Sequence, residues 1–146
     1  MVNALEHATN AVLVQAYSFT SAPIAKALVE AHRRGVHVQV ILDKSQRTEK
    51  YSEADFLKNS EIPTLIDAQH AIAHNKVMII DENLVLTGSF NFTKAAEENN
   101  AENLLVINDS ALAEKYVANW HVHEQHSEAY AREPRSEEQR ARTKRD

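Results

Sequence analysis

The stretch His-Asn-Lys-Val-Met-Ile-Ile-Asp-Glu-Asn-Leu-Val-Leu-Thr-Gly-Ser-Phe-Asn, residues 74–91, decides the fold. Its alternation predicts a strand, a tight turn at Asp81, Glu82 and Asn83, a second strand over residues 84–87, and a bend at Gly88 and Ser89. Strand side chains alternate, so His74 and Lys76 fall on one side, roughly 6–7 Å apart along the strand. A nitrogen nucleophile or proton carrier then sits beside a fixed positive charge, while the apolar residues that follow anchor the hairpin in a core. Phosphate chemistry uses that combination. Asp81 has the opposite parity and is expected to hold the hairpin, not to touch phosphate.

Outward from the hairpin the pattern is that of an α/β protein. Residues 3–9 read as the end of a helix, and residues 11–17 as an apolar strand. Ser21 caps a helix with Pro23 in its first turn, apolar Ile24, Ala27, Leu28 and Ala31 on one face, and Gly35 as its stop. Residues 36–43 alternate as the next strand, which makes a β-α-β unit with a parallel strand pair. The loop over 44–51 lies at the carboxyl end of a strand, a common place for ligands. Arg47 and Lys50 are therefore candidate phosphate contacts, although a solvated loop with incidental charges is the simpler reading. A short helix over 52–59, a strand over 62–67, a helical turn from Thr93 to about Asn99 and a buried-type strand over 103–107 follow. In a final helix from Ser110, Leu112, Tyr116 and Trp120 share a stripe, expected to pack in the core and not to stack on bases. These elements predict one domain over 1–126 and a flexible, charged tail over 127–146.

With 146 residues and 43% hydrophobic content the chain can build one soluble core. It has no cysteine, which excludes disulfides, thiolate metal sites and a cysteine nucleophile. No apolar run approaches the roughly 18 residues of a spanning helix, and the first residues lack a signal peptide's basic start and apolar middle. As written, the chain is expected to be cytoplasmic; a longer precursor would be periplasmic or secreted. The net charge of −5 opposes non-specific binding to a polyanion, so any phosphate affinity has to come from a local basic rim. From residue 127 onward Lys and Arg outnumber Asp and Glu by six to five, leaving the remainder at ten against sixteen. His121, His123 and His126 lack the i, i+4 spacing that sets metal ligands on one helical face, and a solvated helix end is expected there, with no metal. His70, just ahead of the hairpin, is given no role.

The order His74-x-Lys76-x4-Asp81, then Gly88-Ser89-x-Asn91, resembles the signature of the phospholipase D superfamily. Six matched positions in eighteen residues make that resemblance specific. It is similar in particular to the small bacterial Nuc-type endonucleases, through Ala16-Tyr17-Ser18-Phe19-Thr20, the run from Gly88 to Glu97, and Glu102-Asn103, and it extends from about Asn10 to about Trp120. Nuc-type members carry a secretion signal and a further strand ahead of the helix at Asn3.

The resemblance implies a mixed, mostly parallel sheet flanked by helices, with one motif per chain where larger members carry two. Phosphodiester cleavage without a metal needs a nucleophile, an acid for the leaving oxygen, and donors on the non-bridging oxygens. One His74 cannot serve as both nucleophile and acid, so the resemblance implies a two-fold homodimer with the active site at the interface. One His74 would form a phosphohistidine while its counterpart protonates the leaving group. Lys76, Ser89 and Asn91 are the implied phosphate-binding residues, Glu102 the implied partner of the catalytic imidazole, and Asp81 and Gly88 structural. No cofactor is implied. The expected function is a non-specific endonuclease on DNA, with RNA as a further substrate. Phospholipid hydrolysis by the same chemistry is the alternative, and a non-catalytic, dimeric nucleic-acid-binding module the third.

Overall fold

In a computed structural model the described residues are 1–131. The chain runs α1 (Val2–Glu6), β1 (Ala11–Ala16), α2 (Ala22–Arg33), β2 (His37–Asp43), a 3-10 turn (Lys44–Arg47), α3 (Ala54–Asn59), β3 (Thr64–Asp67), β4 (Lys76–Ile80), β5 (Leu84–Gly88), α4 (Lys94–Glu98), β6 (Leu104–Asn108), α5 (Ser110–Gln125) and β7 (Glu128–Ala129). The strands form one sheet in the order β6-β5-β4-β1-β2-β3-β7. The expected mixed α/β sheet is present, but its balance differs from expectation. Only β1–β2 and β2–β3 are parallel; β1–β4, β4–β5, β5–β6 and β3–β7 are antiparallel. The motif hairpin docks onto β1 by reversing direction, and that accounts for the antiparallel half.

Period-two alternation divides the core between the two faces of the sheet. Val12, Val14 and Ala16 of β1 and Met78 and Ile80 of β4 point into a large core with α1, α2 and α3. Leu13 of β1 and Val77 and Ile79 of β4 point the other way, into a smaller core roofed by α5. α2 follows its predicted punctuation. The Ser21 hydroxyl accepts from the Ile24 amide, Pro23 lies in the first turn, and Gly35 adopts φ +97° just after the helix. On α5, Leu112 and Tyr116 pack partly buried against the small core, and Trp120 is wholly enclosed in it.

Two expectations change at the sheet edges. β6 is not a buried strand: Leu105 is 56% and Val106 57% exposed. It forms one end of the sheet, and among the described residues nothing pairs with its outer edge. The fold also continues past residue 126, because β7 pairs with β3 and Tyr130 is buried, its amide donating to the Thr64 carbonyl. The rest of the expected tail, residues 132–146, lies outside the described residues.

The Trp120 indole N–H donates to the Val14 carbonyl at 3.0 Å within the core. Trp120→Phe keeps an aromatic ring but removes that bond and leaves a gap where the larger indole packed, and should cost about 1–3 kcal/mol, read as a lower urea midpoint at unchanged slope.

Candidate active site

Asp81 sets the geometry. It and Glu82 both take left-handed backbone angles, φ 53° and 57°, in the tight turn between β4 and β5. The Asp81 carboxylate accepts from the amides of Thr9, Asn10 and Ala11 and from the Thr9 hydroxyl, and its own amide donates to the Ala11 carbonyl. Five bonds therefore pin the turn to the start of β1. From there the antiparallel register runs to Ala16 opposite Lys76.

That register delivers Tyr17, the residue after β1, to His74 and Lys76. Its ring meets His74 edge to face at 4.6 Å between centroids, and the Lys76 ammonium lies 5.4 Å from the same ring centre. His74 is exposed, whereas Lys76 is buried and donates to the His74 carbonyl at 2.8 Å. Burial lowers the Lys76 pKa from its ordinary value, and the negative charge of Glu102 partly offsets this. The sequence around Tyr17 does not mark it as a site residue. No local spacing links it to His74, which it reaches only through the β1–β4 pairing.

Gly88 permits the next approach. At φ +148° it lies so near β6 that a Cβ would stand 2.1 Å from the Asn103 carbonyl oxygen. Ser89 then bonds to the same segment: its hydroxyl donates to Glu102 and accepts from the Asn103 amide at 2.9 Å, and its own amide donates to the Asn103 carbonyl at 3.0 Å. Within the protomer, therefore, the Ser89 hydroxyl proton and backbone N–H are both engaged, and the Glu102 carboxylate accepts from Ser89.

Asn91 precedes Phe92, which is bound backbone to backbone to Ser18, Thr20 and Ser21 and stacks edge-on against Phe19. The Asn91 Oδ1 is buried without a hydrogen-bond partner among the described residues. A buried acceptor in that state costs stability until a donor arrives. The loop cations lie elsewhere: Arg47 pairs with Glu128 at 2.9 Å and Lys50 sits over the Tyr51 ring. A cleft of about 700 Å³ between α1, the start of α2 and α4 includes Phe90 but none of the motif's polar residues.

The late histidines correct a further expectation. His121 is exposed and bonds to Glu124, but His123 and His126 turn inward to the Asp67 carboxylate, where His70 joins them. Burial acts to raise the Asp67 pKa; bonds from His126, His123, the Gln69 amide and His70 outweigh it and lower the pKa to about 2.

Comparison with known proteins gives consistent likenesses. A family described as "Cardiolipin synthase, PLD-like domain" matches residues 1–122. The crystal structure of Nuc from Salmonella typhimurium, a phospholipase D family member, superposes with a TM-score of 0.85 at 42% identity, covering 88% of this chain and 87% of that one. NucT from Helicobacter pylori superposes with a TM-score of 0.83 at 28% identity, over 88% and 87% of the two chains. A Rickettsia conorii protein named phospholipase D is 45% identical over 82% of this chain, which spans only 60% of that relative's length.

The bonds from residues 9–11 lower the Asp81 pKa below its ordinary 3.8, although burial alone would raise it. A lowered folded pKa contributes stability that is complete above the unfolded value and is lost as pH falls through the folded one. Asp81→Asn should therefore lower stability by about 1–3 kcal/mol near neutrality. In urea titrations repeated at successively lower pH, its deficit should shrink below pH 3.8.

Proposed function

The chain belongs to the phospholipase D superfamily, and on that footing we propose that it is a metal-independent phosphodiesterase, an endonuclease that hydrolyses DNA through a phosphohistidine. The observation that carries this reading is the pairing of one exposed imidazole with one buried ammonium around the Tyr17 ring. The first can attack, and the second offers charge that water does not screen well.

In the proposed step a ring nitrogen of His74 attacks phosphorus, the P–N bond forms, and the bond to the leaving oxygen breaks as His74 of a second protomer supplies its proton. Water, deprotonated by that second imidazole, then attacks phosphorus and releases the first. Two in-line displacements retain configuration at phosphorus. Lys76 and the Asn91 amide stabilise the non-bridging oxygens, so the charge developing in the transition state meets preplaced partners. Glu102 enters through Ser89, which it holds, and Lys76, whose charge it offsets.

One motif per chain supports a homodimer: the proposed step needs a second imidazole, and a two-fold contact that sets the His74 end of β4 against its counterpart supplies it. The open edge of β6, with exposed Leu105 and Val106, is a separate surface, because edge-to-edge pairing there would hold the two β4 strands about 24 Å apart.

The Rickettsia relative's name favours a second reading, phospholipid hydrolysis by the same residues. Plasmid DNA and phosphatidylcholine vesicles, each with chelator in short assays, separate the two. The expected result is cleaved plasmid and intact lipid, at a rate the chelator leaves unchanged. His74→Ala should keep the circular-dichroism spectrum and solution mass of the parent while lowering cleavage at least about a thousandfold. Cleavage near the parental rate would remove the histidine mechanism.

A further inference from the structure

Asp67 closes β3 with its side chain only 1% exposed, and three imidazoles converge on one of its oxygens. His123 Nδ1 and His126 Nε2 each lie 3.0 Å from Oδ2, and His70 Nδ1 lies 3.1 Å from it. The three rings form a triangle with every pair of centroids 5.3 Å apart. Their elements differ. His70 is on the loop leaving β3, and His123 and His126 are one turn apart at the end of α5.

Hydrogen bonding can satisfy the carboxylate, since Oδ2 faces His123 and His126 while Oδ1 takes the Gln69 amide at 3.1 Å and lies 3.2 Å from His70 Nδ1. It does not account for three imidazoles from two elements converging on one buried carboxylate, and if all are protonated, three cations face a single negative charge. A divalent ion would account for the convergence by taking neutral imidazole lone pairs and the carboxylate together. Bonds of 2.0–2.1 Å in a tetrahedron place ligand atoms ~3.3 Å apart. The four ligand atoms already lie within 4.8 Å of one another. The three separations from Asp67 are near the tetrahedral edge, and ring rotation can close the rest.

We propose that Asp67, His70, His123 and His126 form a structural site for a divalent transition metal of the zinc class. Nitrogen-rich donors disfavour magnesium and calcium, and four protein ligands leave no open position for catalysis. The ion would clamp the end of α5 to β3 and to the loop over residues 68–75. The far side of that loop is already tied, because the Ala73 amide donates to the buried Asp43 carboxylate at 2.7 Å. The loop leads directly to His74, so the clamp would steady the approach to the motif without entering its chemistry.

The test is equilibrium dialysis of the chelator-stripped full chain against zinc, with bound metal counted by mass spectrometry and thermal unfolding followed in parallel. One equivalent should bind. The melting temperature should rise by roughly 5–10 °C at a hundredfold excess over Kd. His123→Ala/His126→Ala should lose both effects, and His121→Ala should keep them. Cobalt bound to the unmutated chain should give the intense visible bands of a tetrahedral site, a readout that does not depend on any variant folding. No zinc bound to the unmutated chain, retained zinc in a folded double variant, or a pale octahedral cobalt spectrum would each overturn the proposal.

Discussion

The bond between the Asp81 carboxylate and the backbone of residues 9–11 is the constraint on which the rest of the site depends. A strand that slips by one residue sends every side chain to the opposite face. Here the slip is blocked from a turn in which Asp81 and Glu82 both hold left-handed angles. With Ala11 fixed at one end of the β1–β4 ladder, Ala16 falls opposite Lys76 at the other, and Tyr17 is delivered to His74. A carboxylate at one end of the hairpin thus fixes the surroundings of an imidazole at the other. The same register assigns Val77 and Ile79 to the small core and Met78 and Ile80 to the large one, so packing and site geometry come from one pairing.

What could be read in the chain before its structure was mostly local. The Ser21 cap, the Gly35 stop, the hairpin turn and the apolar stripe of α5 are written within a turn or two of sequence, and all are present. What could not be read needs partners far along the chain. Nothing near Ser89 points to Asn103, and the exposure of β6 follows from its place at the sheet edge, not from its composition, which alone looks like a buried strand. The two residues of β7 are too few to show any period, and they exist because β3 offers an open edge.

The late histidines show how the choice of origin hides a pattern. Counted from His121, spacings of two and five scatter around a helix. Counted from His123, the spacing to His126 is three, one turn, which sets both rings on one face. Asp67 and His70 have the same spacing across the end of a strand. The two pairs lie more than fifty residues apart in sequence, and only the packing of α5 through Trp120 onto the small core brings them together.

Charge distribution explains how an acidic chain can suit a phosphodiester. The net charge of −5 rules out broad attraction to a polyanion. Lys76 does not act by such attraction: it is buried beneath His74, its stem and ammonium enclosed and its charge oriented by the His74 carbonyl. On the proposed reading, a buried ammonium near Glu102 and the Tyr17 ring would gain more from an incoming dianionic transition state than a solvated lysine would, because its surroundings screen less. The unpartnered Asn91 oxygen lies in the same motif and adds a second polar group whose hydrogen bonding is incomplete in the lone protomer. An unpartnered buried acceptor and one motif histidine per chain are what half of a shared site would show, and a second copy facing the His74 end of β4 would complete both.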